Sequence, residues 1–154
     1  MASCQRLPKP KKMKRTIKKV AVLGSGVMGS RIACHFANIG VQVLLLDIVP
    51  FELTEQEQKK GLTKESPLVR NRIVESALQN TLKSNPSAIY DKAFASRITT
   101  GNFDDDLPKI KDYDWIIEVV VERLDIKQQL FEKVEKYRKP GTLITSNTSG
   151  IPMH

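Results

Sequence analysis

Cysteine is scarce in this chain: Cys4 and Cys34 are the two among 154 residues. One lies in a lysine-rich lead-in and the other midway along a helical stretch, so together they make neither a disulfide framework nor a metal site. That usage fits a reducing compartment. Long apolar runs are missing too, and none approaches the roughly 18 residues that would span a membrane. The expectation is a soluble, cytoplasmic protein with no membrane partner and no bound metal. Acid is absent from one place, residues 1–19, where Arg6, Lys9, Lys11, Lys12, Lys14, Arg15, Lys18 and Lys19 stand without a single Asp or Glu.

Those eight account for the whole net charge of +8, because the rest of the chain carries 17 basic residues against 17 acidic. A neutral body excludes a nucleic-acid role for the body. Residues 1–15, rich in Lys and Pro, are expected to be a disordered basic tail. A solubilising extension is the favoured reading of it. An arm for nucleic acid or an anionic surface and a targeting peptide are the competitors. Transit peptides favour Arg and Ser in an amphipathic helix, whereas this run favours Lys and Pro. Met13 opens a more usual lead-in to a first strand, so residues 1–12 read as an upstream addition.

What the body does contain is a strand–turn–helix–strand unit. Val20-Ala21-Val22-Leu23 runs into Gly24-Ser25-Gly26-Val27-Met28-Gly29, a G-x-G-x-x-G turn, and the second apolar run, Val41 to Leu46, ends at Asp47. Glycines alone would be weak, but strand, turn, helix, strand and an acid about 20 residues on form the dinucleotide-binding pattern. Gly24 permits the tight turn, Gly26 lets the backbone approach a pyrophosphate, and Gly29 lets the helix pack closely on the strand. The amides near Val27 and Met28 present partial positive charge to phosphates. Asp47 can accept bonds from both hydroxyls of an adenosine ribose and would repel a 2′-phosphate. Ile48, Val49 and Pro50 follow it with no Arg, so NAD is expected over NADP.

Further along, the pattern predicts a helix from Val27 to Asn38 closed by Gly40, with His35 beside its apolar face as a packed or half-exposed residue. Phe51 to Lys64 reads as a loop or frayed helix. One helix should then start at Ser66-Pro67 and continue through Leu82, either as a substrate-facing arm or as an edge decoration. Ile98-Thr99-Thr100 is a third strand, and Asp104-Asp105-Asp106 a solvated cap to a brief helical turn. Asp114 to Val121 is a fourth strand, apolar on both faces. A helix over Asp125 to Arg138 and a fifth strand, Thr142 to Thr145, complete the alternation. The fold class expected is α/β, a Rossmann-type doubly wound parallel sheet. Ligands in such sheets sit at the carboxyl ends of the strands. Three loops are therefore candidates: Gly24–Gly29, the stretch from Val121 to Lys127, and Ser146–Ser149.

These residues together resemble the N-terminal half of the NAD-dependent 3-hydroxyacyl-CoA dehydrogenase family. The resemblance is carried by the glycine turn with Ser30, by Asp114-Trp115-Ile116-Ile117-Glu118, by Val121-Glu122-Arg123-Leu124 with Lys127 and Leu130-Phe131, and by Ser146-Asn147-Thr148-Ser149. It covers about residues 16 to 153. The glycine turn is common to many dehydrogenases, whereas the other three motifs are more selective. The family oxidises (S)-3-hydroxyacyl-CoA to 3-ketoacyl-CoA in fatty-acid β-oxidation. The resemblance implies that Glu122 and Lys127 contact the nicotinamide side of NAD and that Asn147 lines the cleft of cofactor and substrate. It implies that Ser149 hydrogen-bonds the substrate's C3 oxygen.

One departure stands out. The family's catalytic His lies in a His-Phe-Phe-Asn-Pro motif about twenty residues after that serine, with a Glu that orients it, and neither occurs in these residues. His154 follows Ser149 by five residues and does not fill that place. The sheet is accordingly expected to be incomplete at its C-terminus. Residues 16–154 would form a partial NAD-binding domain, and the helical domain that makes the family's homodimer would be missing. Acyl-CoA would be the substrate of the longer enzyme, with this piece inactive alone. Two other readings stay open at this point. One is another β-hydroxyacid or nucleotide-sugar dehydrogenase. The other is a non-catalytic protein that reuses the fold and binds polyanions through its tail.

Overall fold

The computed structural model describes residues 16–120 and 124–147. The tail at 1–15 lies outside them, as do 121–123 and 148–154. Among the described residues five strands form one sheet: β1 (Lys19–Leu23), β2 (Gln42–Asp47), β3 (Ile98–Asn102), β4 (Trp115–Glu118) and β5 (Leu143–Ser146). Their spatial order is β3-β2-β1-β4-β5 and every pairing is parallel. The Rossmann-type doubly wound sheet is thus present. Strand order reverses between β1 and β4, so a crevice opens where their carboxyl ends part.

The strands sort their side chains by alternation. Val20, Val22, Val43, Leu45 and Ile117 face one layer, where Ala33, Cys34 and Ala37 of α1 (Val27–Asn38) and Val74 and Leu78 of α4 (Arg72–Leu82) pack on them. Ala21, Leu23, Leu44, Leu46 and Ile116 face the other, against Leu107 and Ile110 and against Leu130 and Val134 of α5 (Leu124–Tyr137). Val20 to Leu23 are wholly buried. A strand covered on both faces must be a continuous apolar run, which is why β1 can deliver the glycine turn from the middle of the sheet.

The connections between β2 and β3 differ from expectation in two places. The stretch read as loop or frayed helix holds α2 (Glu55–Lys59), started by a capping box in which Thr54 and Glu57 bond each other's backbone N–H. The single helix expected from Pro67 to Leu82 is two, α3 (Pro67–Arg70) and α4 (Arg72–Leu82). The break falls at Asn71, whose backbone turns to φ −101°, ψ 8° while its side chain accepts a 2.9 Å bond from the Asn102 amide. Apolar periodicity continues through the break and so does not reveal it.

Of the three acids after β3, Asp104 and Asp105 are exposed, as expected, but the expected cap is not made. Asp106 stands at the start of the short 3₁₀ turn Leu107–Asp112 without capping it. Its carboxylate instead accepts the Asn102 N–H at 3.0 Å and pairs with Lys109 at 2.5 Å. Asp105 grips Arg70 through two bonds of 2.6 and 3.0 Å, and its carboxyl is held below the usual range by that guanidinium and by Asn102. The α3 segment is thereby fastened to the end of β3.

Candidate functional site

Three local geometries build the glycine turn. Gly24 sits at φ +111°, in the region that side chains rarely adopt, and a Cβ there would stand 2.8 Å from the Val119 carbonyl oxygen. At Gly29 a Cβ would overlap the Gly24 carbonyl, so the first turn of α1 lies directly on the loop. Gly26 is different. Among the described residues, a Cβ on it would meet no atom within 4 Å, and its φ of −56° is open to any residue. None of the described residues requires glycine there. The space beside it belongs to the cleft.

Gly26 also begins α1. Among the described residues no side chain caps this helix start and no acid lies in its first turn. Val27 and Met28 are exposed, 74% and 55%. Helix starts leave amide donors unsatisfied, with the positive end of the macrodipole behind them. The turn therefore offers an anion N–H groups and a close approach.

Asp47 ends β2 beside that turn. Its Oδ2 accepts the Ser25 N–H at 2.8 Å and the Ser25 hydroxyl, and its Oδ1 accepts the Ile48 N–H at 2.7 Å. Ser25 is itself 1% exposed, and its carbonyl accepts the Ser30 hydroxyl at 2.7 Å. The turn and the acid are thus one preorganised unit. Both line a cleft of about 770 Å³ whose other walls include Phe51, Phe103, Val120, Ile126 and Leu130. Its floor is peptide and carboxylate; its walls are mostly apolar, with Asp104, Gln129 and Lys133 among them. That combination suits a nucleotide. Lys64 and Arg70 also face it, so the segment between β2 and β3 contributes a wall.

On the far side of the reversal point, Lys127 of α5 is buried, 2% exposed, with its Nζ 3.4 Å from Oε2 of Glu118. Asn147 is exposed, and its N–H donates to the Glu118 carbonyl at 2.8 Å. Glu122 and Ser149, the other two residues expected on this side, lie outside the described residues. His35 is exposed on α1, edge-on to Phe36. Sequence reasoning quoted Glu118 without giving it a role. A signal was there: one carboxylate closing a run that is apolar on both faces must find a buried partner.

Residues 19–154 match the family described as 3-hydroxyacyl-CoA dehydrogenase, NAD binding domain. A probable 3-hydroxyacyl-CoA dehydrogenase of Bacillus subtilis is 55% identical over 139 residues, which is 90% of this chain and 18% of that protein. One of Deinococcus radiodurans is 46% identical over 138 residues, 90% of this chain and 36% of that protein. The solved (S)-3-hydroxybutyryl-CoA dehydrogenase of Ralstonia eutropha shares the fold, with a TM-score of 0.58 at 24% identity over 88% of this chain and 42% of its own. This chain therefore spans between about a fifth and two fifths of the proteins it matches.

Proposed function

The chain belongs to the 3-hydroxyacyl-CoA dehydrogenase family, as its NAD-binding domain, and from that premise we propose that it is the cofactor half of an enzyme oxidising (S)-3-hydroxyacyl-CoA to 3-ketoacyl-CoA. The observation that carries this reading is Gly26 beside Asp47: an open position at an uncapped helix start, next to a carboxylate held in place by three donors.

In that role the α1 amides take the diphosphate and Asp47 takes the adenosine ribose. The apolar cleft walls cover the base. NAD, when bound, supplies the hydride acceptor. Lys127 and Glu122 hold the nicotinamide side, Asn147 lines the cleft beyond it, and Ser149 donates to the C3 oxygen of the acyl group. A fixed donor there favours the carbonyl character that oxygen gains as hydride leaves. The general base that the family resemblance implies, a histidine in His-Phe-Phe-Asn-Pro, is not among these 154 residues. This stretch therefore binds and orients; turnover belongs to the longer protein, in which a helical domain would form the homodimer. The reading takes residues 1–15 as a basic tail and 16–154 as the domain.

Cytoplasmic residence is part of the proposal. Cys34 is a free, buried thiol, and among the described residues no helix is long and apolar enough to cross a membrane.

Calorimetry of the chain with NAD and with NADP tests the reading. NAD should bind at least about tenfold more tightly, because a 2′-phosphate would meet Asp47, and Asp47→Ala should narrow that gap. Equal affinity for both cofactors, or heat from neither, would contradict it.

A further inference from the structure

We propose that Glu118 is a positioning residue that sets the nicotinamide side of the cleft by holding Lys127, the exit of β4 and the end of β5 in one register. Its fractional exposure is 0%, and it ends β4 in parallel register with Leu23 on one side and Ser146 on the other. Oε1 accepts the Val120 N–H at 2.7 Å. Oε2 accepts the Ser146 hydroxyl and lies 3.4 Å from Lys127 Nζ. Its backbone carbonyl accepts the Asn147 N–H at 2.8 Å. One residue thus binds the chain on its way from β4 towards Glu122, the lysine of α5, and the chain on its way from β5 towards Ser149.

Packing does not demand this. Leu23, Ile116 and Ile117 beside it are apolar and buried, and an apolar group in place of a buried ion pair is often neutral or stabilising for a fold. What the pair adds is direction. A lysine with four rotatable carbons is directed by the groups it pairs with, and Glu118 is one such group, fixed at the strand end nearest the reversal point. The neighbouring Val119 carbonyl lies so close to Gly24 that no Cβ fits between them. The β4 exit and the phosphate turn are therefore set against each other, and Glu118 locks the β4 side of that contact.

The inference rests on the NAD reading, and the test separates the two. NADH fluorescence reports the nicotinamide ring, while displacement by ADP-ribose reports the dinucleotide without that ring. In the full 154-residue chain, Glu118→Gln should weaken NADH about tenfold and abolish its fluorescence change, with ADP-ribose affinity held within about twofold. Lys127→Met should weaken NADH by a similar factor. Because Glu118 acts through Lys127, the double variant should lose about tenfold, not the hundredfold of two independent contacts. The double variant removes both members of the buried Glu118–Lys127 pair at once, whereas either single substitution breaks the pair and could unfold the chain, so it carries the test should they melt.

Wild-type NADH affinity in Glu118→Gln would overturn the inference. So would ADP-ribose affinity falling in step with NADH, or additive losses in the double variant. If the unsubstituted chain binds ADP-ribose without any nicotinamide fluorescence change, this inference falls and the dinucleotide reading stands. If it binds neither probe, both fall.

Discussion

The Asp47 carboxylate is already held by three donors, the Ser25 N–H, the Ser25 hydroxyl and the Ile48 N–H. A carboxylate offers about four acceptor positions, so two ribose hydroxyls can be taken only if one present donor leaves. The Ser25 hydroxyl is the donor that can rotate away; the two backbone amides cannot. Ser25→Ala should therefore leave Asp47 less satisfied in the free protein and tighten NAD binding by a few-fold, about the net worth of one hydrogen bond. Calorimetry on the variant checks this, and weaker binding would mean that the hydroxyl itself serves the ligand. Residue by residue, the site was most legible where a type is forced by geometry. Gly24 and Gly29 occupy positions where a Cβ would collide, and Asp47 lies at the end of β2. The Ser25–Asp47 bond was not legible, because a serine in that turn carries no sign of where its hydroxyl points. The role of Glu118 is not legible either, since its partners come from helix α5 and strand β5, brought together by the fold alone.

At the level of elements, Asp114 joins three pieces. Its Oδ2 accepts the N–H groups of Lys18 and Lys19 at 3.0 and 3.1 Å where β1 begins, and its Oδ1 accepts from Lys139 at 2.8 Å, past the end of α5. The Lys139 ammonium, then the two amides, lower its pKa from 3.8 to about 2. A group whose folded pKa is depressed gives stability that is fully present above its unfolded value and is lost as pH falls through the folded one. The contribution should therefore vanish between about pH 4 and pH 2. Asp114→Asn should lower the melting temperature at pH 7 and flatten its decline across that window; an unchanged acid limb would contradict the assignment. Element boundaries followed the same division between local and distant causes. Helix α1 was readable to its ends, because apolar spacing, the glycine turn and Gly40 all agree. Helix α2 carries a local signal in Thr54-Glu55-Gln56-Glu57, a capping-box spacing within a segment whose polar composition alone suggests a loop or frayed helix. The break at Asn71 was not readable, because its partner, Asn102, lies 31 residues away.

For the whole molecule, the order β3-β2-β1-β4-β5 puts the glycine turn, Asp47 and the β4 exit at one crevice. Strand and helix alternation was enough to expect this, because parallel crossovers of one hand leave few other arrangements. What alternation could not convey is how the segment between β2 and β3 folds back: the Arg70–Asp105 pair brings α3 to the cleft as a wall. The account's central claim is that the turn is shaped for a ligand and not only for the fold, and Gly26 separates these two purposes. Its backbone suits any residue and a Cβ there would meet none of the described residues, so Gly26→Ala should not strain the folded chain. The most direct measurement is therefore the melting temperature of Gly26→Ala with and without saturating NAD. The account predicts a ligand-free value equal to that of the unsubstituted chain and no rise on adding NAD, where the unsubstituted chain rises by mass action. An equal rise in both proteins would contradict it.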